Sequence, residues 1–244
     1  MKHLFCPLLP RDPLRGPVLV LAAHPDDEVI GAGAMLAYHA RQGHTITVVH
    51  ATDGAKGDPG ALATDICAVR RAEGKAALAR LGVPAPQHWD LPDGELPEHL
   101  PALTERLRAL FAAVQPATLY SFWFGEAHRD HRAIAAATAL AAAALPKDCR
   151  CLLYGVNHVV PTGVLFDTTD CYPAKYKALQ AYASQNVYVD LPGMSEHRDR
   201  ANTVNLDLPG VLYGEMFADL RPAELGPAAE LATALQRLLT RDLP

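Results

Sequence analysis

LVLAAHPDDEVIGAG, Leu19–Gly33, decides how this chain is read. Carried back to Pro17, its first half is PVLVLAA, an unbroken apolar run of the kind a strand carries when both its faces are buried. The run stops at His24. Carboxylates follow at Asp26, Asp27 and Glu28, then Gly31 and Gly33 lead back into apolar residues. Ala32–Gly43 (AGAMLAYHARQG) reads as a helix closed by Gly43, and His44–Ala51 (HTITVVHA) as a β-branched strand. Strand, charged turn, helix and strand in that order make a βαβ unit, which implies a right-handed crossover between parallel strands.

The same alternation continues outward. TDGAKGDPG (Thr52–Gly60) is a loop, and Thr64 is placed to cap a helix running to Gly82. A short strand is expected over Gln87–Leu91, then a PDG turn, and then an amphipathic helix that ends before Pro116. ATLYSFW (Ala117–Trp123) reads as a strand, HRDHRAIAAATALAAAAL (His128–Leu145) as a helix and CLLYGVNHV (Cys151–Val159) as a strand. Past Pro161 the pattern weakens. GVLFDTT suits a strand and Pro173–Gln185 a helix, ahead of a loop-rich tail and a final helix over Pro227–Thr240. The expected fold is α/β: a Rossmann-like three-layer α/β/α arrangement with a mainly parallel sheet and a loop-rich C-terminal extension, residues 1–244 forming a single domain.

Composition narrows the function classes. The 244 residues carry a formal net charge of −5, and no run of lysine or arginine offers a nucleic-acid footprint. No apolar stretch reaches the roughly 18 residues of a membrane span. The N-terminal apolar run is too short, and too interrupted by Pro7, Pro10, Arg11 and Asp12, for a signal peptide. The five cysteines form no CxxC motif and read as free thiols. A cytoplasmic protein is expected.

In an open α/β sheet, ligands bind beyond the carboxyl ends of the strands. His24, Asp26 and Asp27 follow the first strand, Thr52–Gly60 the second, Asp93 the third, and His128 and His131 the Ala117–Trp123 strand. All fall at one edge. Adjacent carboxylates repel, and a metal ion relieves that repulsion while keeping its ligand ionised. His24 and Asp27 can grip one ion, and a histidine of HRDH would complete two nitrogens and one oxygen. That set is typical of catalytic zinc with an open position for water. His128 and His131 share a helix face, so one can ligate while the other stays free as an acid, with Asp130 orienting a ligand histidine. The remaining histidines read as surface or packing residues: His3, His39, His44, His88, His99 and His197 as surface or partly packed, His50 as core, and His158 near the cleft. GAGA (Gly31–Ala34) lacks the GxGxxG spacing of a dinucleotide site.

AHPDDE (Ala23–Glu28) with HRDH (His128–His131) resembles the LmbE-like, or PIG-L, family of zinc-dependent enzymes that remove N-acetyl groups from glucosamine-containing substrates. GHTITVVHATDG, Arg70–Glu73, Leu81–Gly82, Asp93–Gly94, KALQAYASQ (Lys177–Gln185) and GEMF (Gly214–Phe217) fall in family order. The resemblance implies one zinc held by His24, Asp27 and His131, with Asp26 as general base. It implies His128 as general acid or oxyanion stabiliser and Asp130 as an orienting residue. Arg70 and Asp93 match positions that touch the sugar in some relatives, and relatives commonly self-associate, so a homo-oligomer is a further implication. Two departures stand out. Arg129 replaces the proline of HPDH, and Glu126 stands where some relatives have a tyrosine near the reacting carbonyl, which implies a different cleft polarity at the substrate. Three rival readings use the same residues: an amidase acting on another amide such as a thiol conjugate, a non-haem iron oxygenase, and a non-enzymatic metal-bound sugar-binding module.

Overall fold

The structure, a computed structural model, describes residues 6–12 and 14–240; His3 lies outside them. The apolar run ahead of His24 forms β2 (Val18–Ala22), buried at every position, after a two-residue strand β1 (Leu8–Leu9). β2 lies between two parallel neighbours, β3 (Ile46–Thr52) and β5 (Thr118–Phe122), with Val20 in register with both Val48 and Tyr120. A strand paired on both edges and covered on both faces has no place for an outward polar residue, hence its lack of alternation.

The other strands are β4 (Gln87–Leu91), β6 (Arg150–Tyr154), β7 (Val164–Asp167) and β8 (Gly214–Leu220). Among the described residues one sheet runs in the order β1-β7-β8-β6-β5-β2-β3-β4. Every pairing is parallel except those of β8 with β6 and with β7. The chain grows from β2 through β3 to β4, then returns to the other side of β2 to add β5 and β6. The direction of growth reverses between β2 and β5, and a crevice opens there past the strand ends.

Helices surround the sheet: α1 (Asp27–Arg41), α2 (Ile66–Arg80), α3 (Leu100–Val114), α4 (Arg129–Leu140), α5 (Tyr172–Leu179), α6 (Ala183–Asn186), α7 (Leu191–Ala201) and α8 (Pro222–Thr240). α1 packs on α5, which also meets α2, while α4 packs on α3 and α8. None is long and apolar enough to cross a membrane among the described residues.

Several boundaries differ from expectation. α1 starts at Asp27 rather than Ala32, because the Asp26 carbonyl already accepts from the Val29 and Ile30 amides. The cap of α2 is Asp65, not Thr64: its carboxylate accepts from the Ala68 amide at 3.0 Å. β6 ends at Tyr154, short of Val159. The tail expected to be loop-rich contains α7 and β8, and its last helix begins at Pro222 with Pro227 inside it.

Candidate active site

β2 ends at Ala22, and the turn Ala23–Asp26 delivers His24, Asp26 and Asp27 to the crevice. Asp26 holds φ at 134°, a conformation that L side chains rarely adopt. Such strain persists only where surrounding structure enforces it, and it concentrates at functional sites. Just past β5, His128 caps α4, its Nδ1 accepting from the Asp130 amide at 3.2 Å. That bond leaves the proton of a neutral ring on Nε2. One turn into α4, His131 lies flat against Phe122, ring centroids 4.2 Å apart.

Asp27 is the centre of the cluster. Its Oδ2 accepts from the Ala23 and His24 amides at 3.1 and 2.8 Å and lies 3.2 Å from His24 Nδ1. Its Oδ1 lies 3.2 Å from His131 Nε2. Each histidine meets another carboxylate on its far side: His131 Nδ1 is 2.7 Å from Glu126, and His24 Nε2 is 3.0 Å from Asp93 and 3.4 Å from Asp130. Burial disfavours charge on both rings, but these carboxylates outweigh it. The pKa of His24 stands well above its ordinary value, and that of His131 is raised to about 9. Burial would raise the Asp27 pKa, but His131 and His24 hold it well below the carboxylate range.

Asp26 is treated in the opposite way. Burial pushes its pKa up to about 7, Arg70 opposing and Asp27 assisting. Arg70 donates to Asp26 Oδ2 at 3.1 Å and to the carbonyls of Gly54 and Pro25 at 3.1 and 3.2 Å. Adjacent in sequence, the two aspartates therefore differ in character: one is a committed anion, the other an acid–base group poised near neutrality. For His128, burial and the neighbouring His24 and His131 lower the pKa, so the ring is neutral.

Of the residues expected to meet substrate, Arg70 and Asp93 line the cleft, and all three including Glu126 are buried. Arg70 borders the cleft, its Nη1 and Nη2 donating to Asp26 and two carbonyls while its buried Nε has no partner among the described residues. Asp93 binds His24 on one oxygen and accepts from the Lys56 amide on the other. Glu126 is buried and is not among the residues that line the cleft. It faces His131 and accepts from the amides of Val156, Asn157 and His158. Asp130 accepts from the Gly94 and Leu96 amides while facing His24. Glu28 sits beneath the site, 3.1 Å from His50 Nε2, and accepts from the Tyr182 hydroxyl at 3.3 Å. His158 donates its backbone amide to Glu126 and approaches the Gly125 carbonyl through Nδ1.

Donor atoms of His24, His128 and His131 lie within 4.8 Å of one another, as do those of His24, Asp93, His128 and Asp130. With Asp27 held between His24 and His131, the cluster can bind a metal. Two imidazoles face the two oxygens of one carboxylate, and outer carboxylates fix both rings. These are the donors and supporting shell that a zinc centre uses. The cleft above has a volume of about 260 Å³.

Residues 19–142 match the family model described as PIG-L: GlcNAc-PI de-N-acetylase. The chain belongs to the PIG-L family, a family of N-deacetylases. It is 33% identical to a probable N-acetyl-alpha-D-glucosaminyl L-malate deacetylase 2 of Bacillus anthracis, over 69% of this chain and 80% of that protein. It is 26% identical to a 1D-myo-inositol 2-acetamido-2-deoxy-alpha-D-glucopyranoside deacetylase of Mycobacterium sp. (strain KMS), over 80% of this chain and 81% of that one. In fold it resembles the N,N'-diacetylchitobiose deacetylase of Pyrococcus horikoshii, with a TM-score of 0.72, 23% identity, and coverage of 85% of this chain and 84% of the other.

Proposed function

We propose that this chain is a zinc-dependent hydrolase that removes the N-acetyl group from an N-acetylglucosamine-type sugar or glycoconjugate. The observation that carries the reading is the contrast between two neighbouring carboxylates: Asp27 fixed between His24 and His131, and Asp26 free of them with a pKa near 7. His24, Asp27 and His131 would hold the ion. Zinc bound there supplies Lewis acidity, polarising the amide carbonyl and bringing a water towards a pKa of about 7.

The chain's own residues supply the rest. Asp26 accepts the proton of the attacking water, and Arg70 keeps its carboxylate aimed into the cleft. Water adds to the carbonyl carbon, and the Nε2–H of neutral His128 donates to the oxyanion that forms. The protonated Asp26 returns its proton to the nitrogen as the C–N bond breaks, so acetate and a free amine leave. A pKa near 7 suits a group that must take and give a proton within one turnover. Asp93 and Asp130 hold His24, and Glu126 holds His131, so the ligand rings do not turn during the cycle.

The test is acetate release across a panel of N-acetylated sugars, before and after chelation and again after zinc is restored. Acetate that disappears with the chelator and returns with zinc is the expected result. Release that survives complete metal removal would overturn the reading.

A further inference from the structure

Glu28 is fully buried and does not line the cleft, yet it sits directly under the turn that carries His24 and Asp26. Its two oxygens have separate partners. Oε2 accepts from the Asp26 amide at 3.4 Å, and no backbone carbonyl among the described residues accepts from that amide. Oε1 accepts from the Tyr182 hydroxyl at 3.3 Å and lies 3.1 Å from His50 Nε2. Tyr182, in the turn between α5 and α6, and His50, on β3, are fully buried as well. α2 presses on the same floor: at Gly74 a Cβ would lie 3.0 Å from His50 Cε1 and 3.3 Å from Pro25 Cβ.

Burying a carboxylate is costly unless its oxygens are partnered, so a position that only filled space would carry an apolar residue. What Glu28 holds is the residue with the strained backbone. Asp26, at φ 134°, keeps that conformation only if its surroundings enforce it. Arg70 grips its carboxylate and the Pro25 carbonyl. Glu28 grips its amide, through a side chain that Tyr182 and His50 hold in turn. An acid in the first turn of a helix also favours the helix dipole, but a dipole asks only for charge. Holding an amide asks for an acceptor oxygen, so glutamine separates the two roles.

Resting on the reading above in which Asp26 is the base, we propose that Glu28 is a positioning residue. It fixes Asp26 through its amide, and Tyr182 and His50 fix Glu28, so that the base keeps its aim into the cleft.

The test uses zinc-loaded Glu28→Met, Glu28→Gln and Tyr182→Phe, each alone and combined with Asp26→Asn. Methionine fills the volume without an acceptor. Glutamine can turn its oxygen to the Asp26 amide and its NH2 towards Tyr182 and His50. Glu28→Met should lower kcat by about 10–100-fold, the scale of a misplaced catalytic group, with KM and zinc content unchanged. Tyr182→Phe should give a smaller loss of the same kind, and Glu28→Gln should recover most of the rate. In the Asp26→Asn background neither Glu28→Met nor Tyr182→Phe should lower the residual rate further, because both act through Asp26. Hydrogen exchange at the Asp26 amide should quicken about fivefold to tenfold in Glu28→Met, the worth of one hydrogen bond, and stay unchanged in Glu28→Gln.

A Glu28→Met loss that persists undiminished in the Asp26→Asn background overturns the proposal, because the effect is then structural. Glu28→Gln as impaired as Glu28→Met also overturns it, since charge rather than an acceptor is then what matters, and so does loss of zinc from Glu28→Met. Should Glu28→Met fail to fold, normal kcat and unchanged Asp26 exchange in Tyr182→Phe overturn it instead. No acetate from any N-acetylated sugar, or normal turnover by Asp26→Asn, refutes the deacetylase reading. Exchange at the Asp26 amide then decides the positioning separately: quickened in Glu28→Met it stands, unchanged it falls.

Discussion

Two groups of charges are buried in this molecule, and they are built on opposite plans. Beneath α1, Lys175 Nζ donates to Asp199 Oδ2 at 2.6 Å and Glu215 Oε1 at 2.7 Å, all three side chains at most 2% exposed. Glu215 also accepts from the Ala34 and Met35 amides, each at 2.9 Å, and Arg198 lies 3.8 Å from Asp199 while donating to the Ile30 carbonyl. Two cations face two anions, and the protein closes the account with its own groups. At the β2–β5 crevice, by contrast, Asp26, Asp27, Glu28, Asp93, Glu126 and Asp130 face one arginine, Arg70, and four histidines, His24, His50, His128 and His131. The carboxylates outnumber the permanent cations, and the surplus raises the pKa values of His24 and His131, while burial, assisted by Asp27, pushes that of Asp26 up to about 7. A neutralised cluster holds elements together; one short of positive charge has room for a divalent ion and a mobile proton.

The sharpest break of this contrast is at Asp26. Asp26→Asn keeps shape and removes the proton acceptor. kcat should fall by about 10²–10⁴, the usual worth of a general base, while zinc content by elemental analysis stays stoichiometric. Near-normal turnover would sink the assignment. His131→Ala should instead lose the metal itself, and full zinc occupancy in that variant would remove His131 from the ligand set.

Breaking the neutral cluster should have the reverse profile. Lys175→Met strands two carboxylates among buried groups and should cost about 3–5 kcal/mol in denaturant unfolding. A loss under 1 kcal/mol would mean that the cluster is far better hydrated than its burial implies. Glu126→Gln is milder: removing the charge behind His131 should weaken zinc binding about 10–100-fold in chelator competition, with stability little changed. Unchanged affinity would return Glu126 to the substrate side.

The sequence discloses these two clusters unequally, for a physical reason. HPDDE ends an apolar run and HRDH opens an alanine-rich helix, so both are visible against periodic surroundings, and the strand order then makes them neighbours. α7 hides because its buried face carries Ser195 and Asp199 beside Leu191 and Pro192, which leaves no apolar stripe in LPGMSEHRDRA. β8 hides because GEMFADL places Glu215 inward, to serve α1 and Lys175. Glu126 falls between. Its position near HRDH marks it, but only the packing of Val156–His158 against its oxygens tells support from substrate contact.

His39 handles burial in a third way, by staying neutral, and it gives the smallest and cleanest effect. It is fully buried in α1, with Nε2 3.0 Å from the Tyr120 hydroxyl and Nδ1 2.8 Å from His44 Nδ1. Burial, reinforced by His44, lowers its pKa to about 3. Above about pH 6.5 neither folded nor unfolded chain protonates this ring, and its contribution is constant. As pH falls below 6.5, the unfolded chain takes up the proton and the folded one refuses it, so stability is lost progressively until the folded pKa near 3 is reached. Between pH 7.5 and 5.5 the loss should be about 1.4 kcal/mol. His24 and His131, with raised pKa values, act in the opposite sense: without metal they favour the folded state at low pH, an advantage lost as pH rises through the folded values, about 9 for His131. The measurement is therefore the difference in urea unfolding free energy between the parent and His39→Gln at each pH. That difference should shift against the parent by about 1.4 kcal/mol on acidification. A flat difference would mean that His39 accepts a proton in the folded state and that the His39–His44–Tyr120 group tolerates a charge after all.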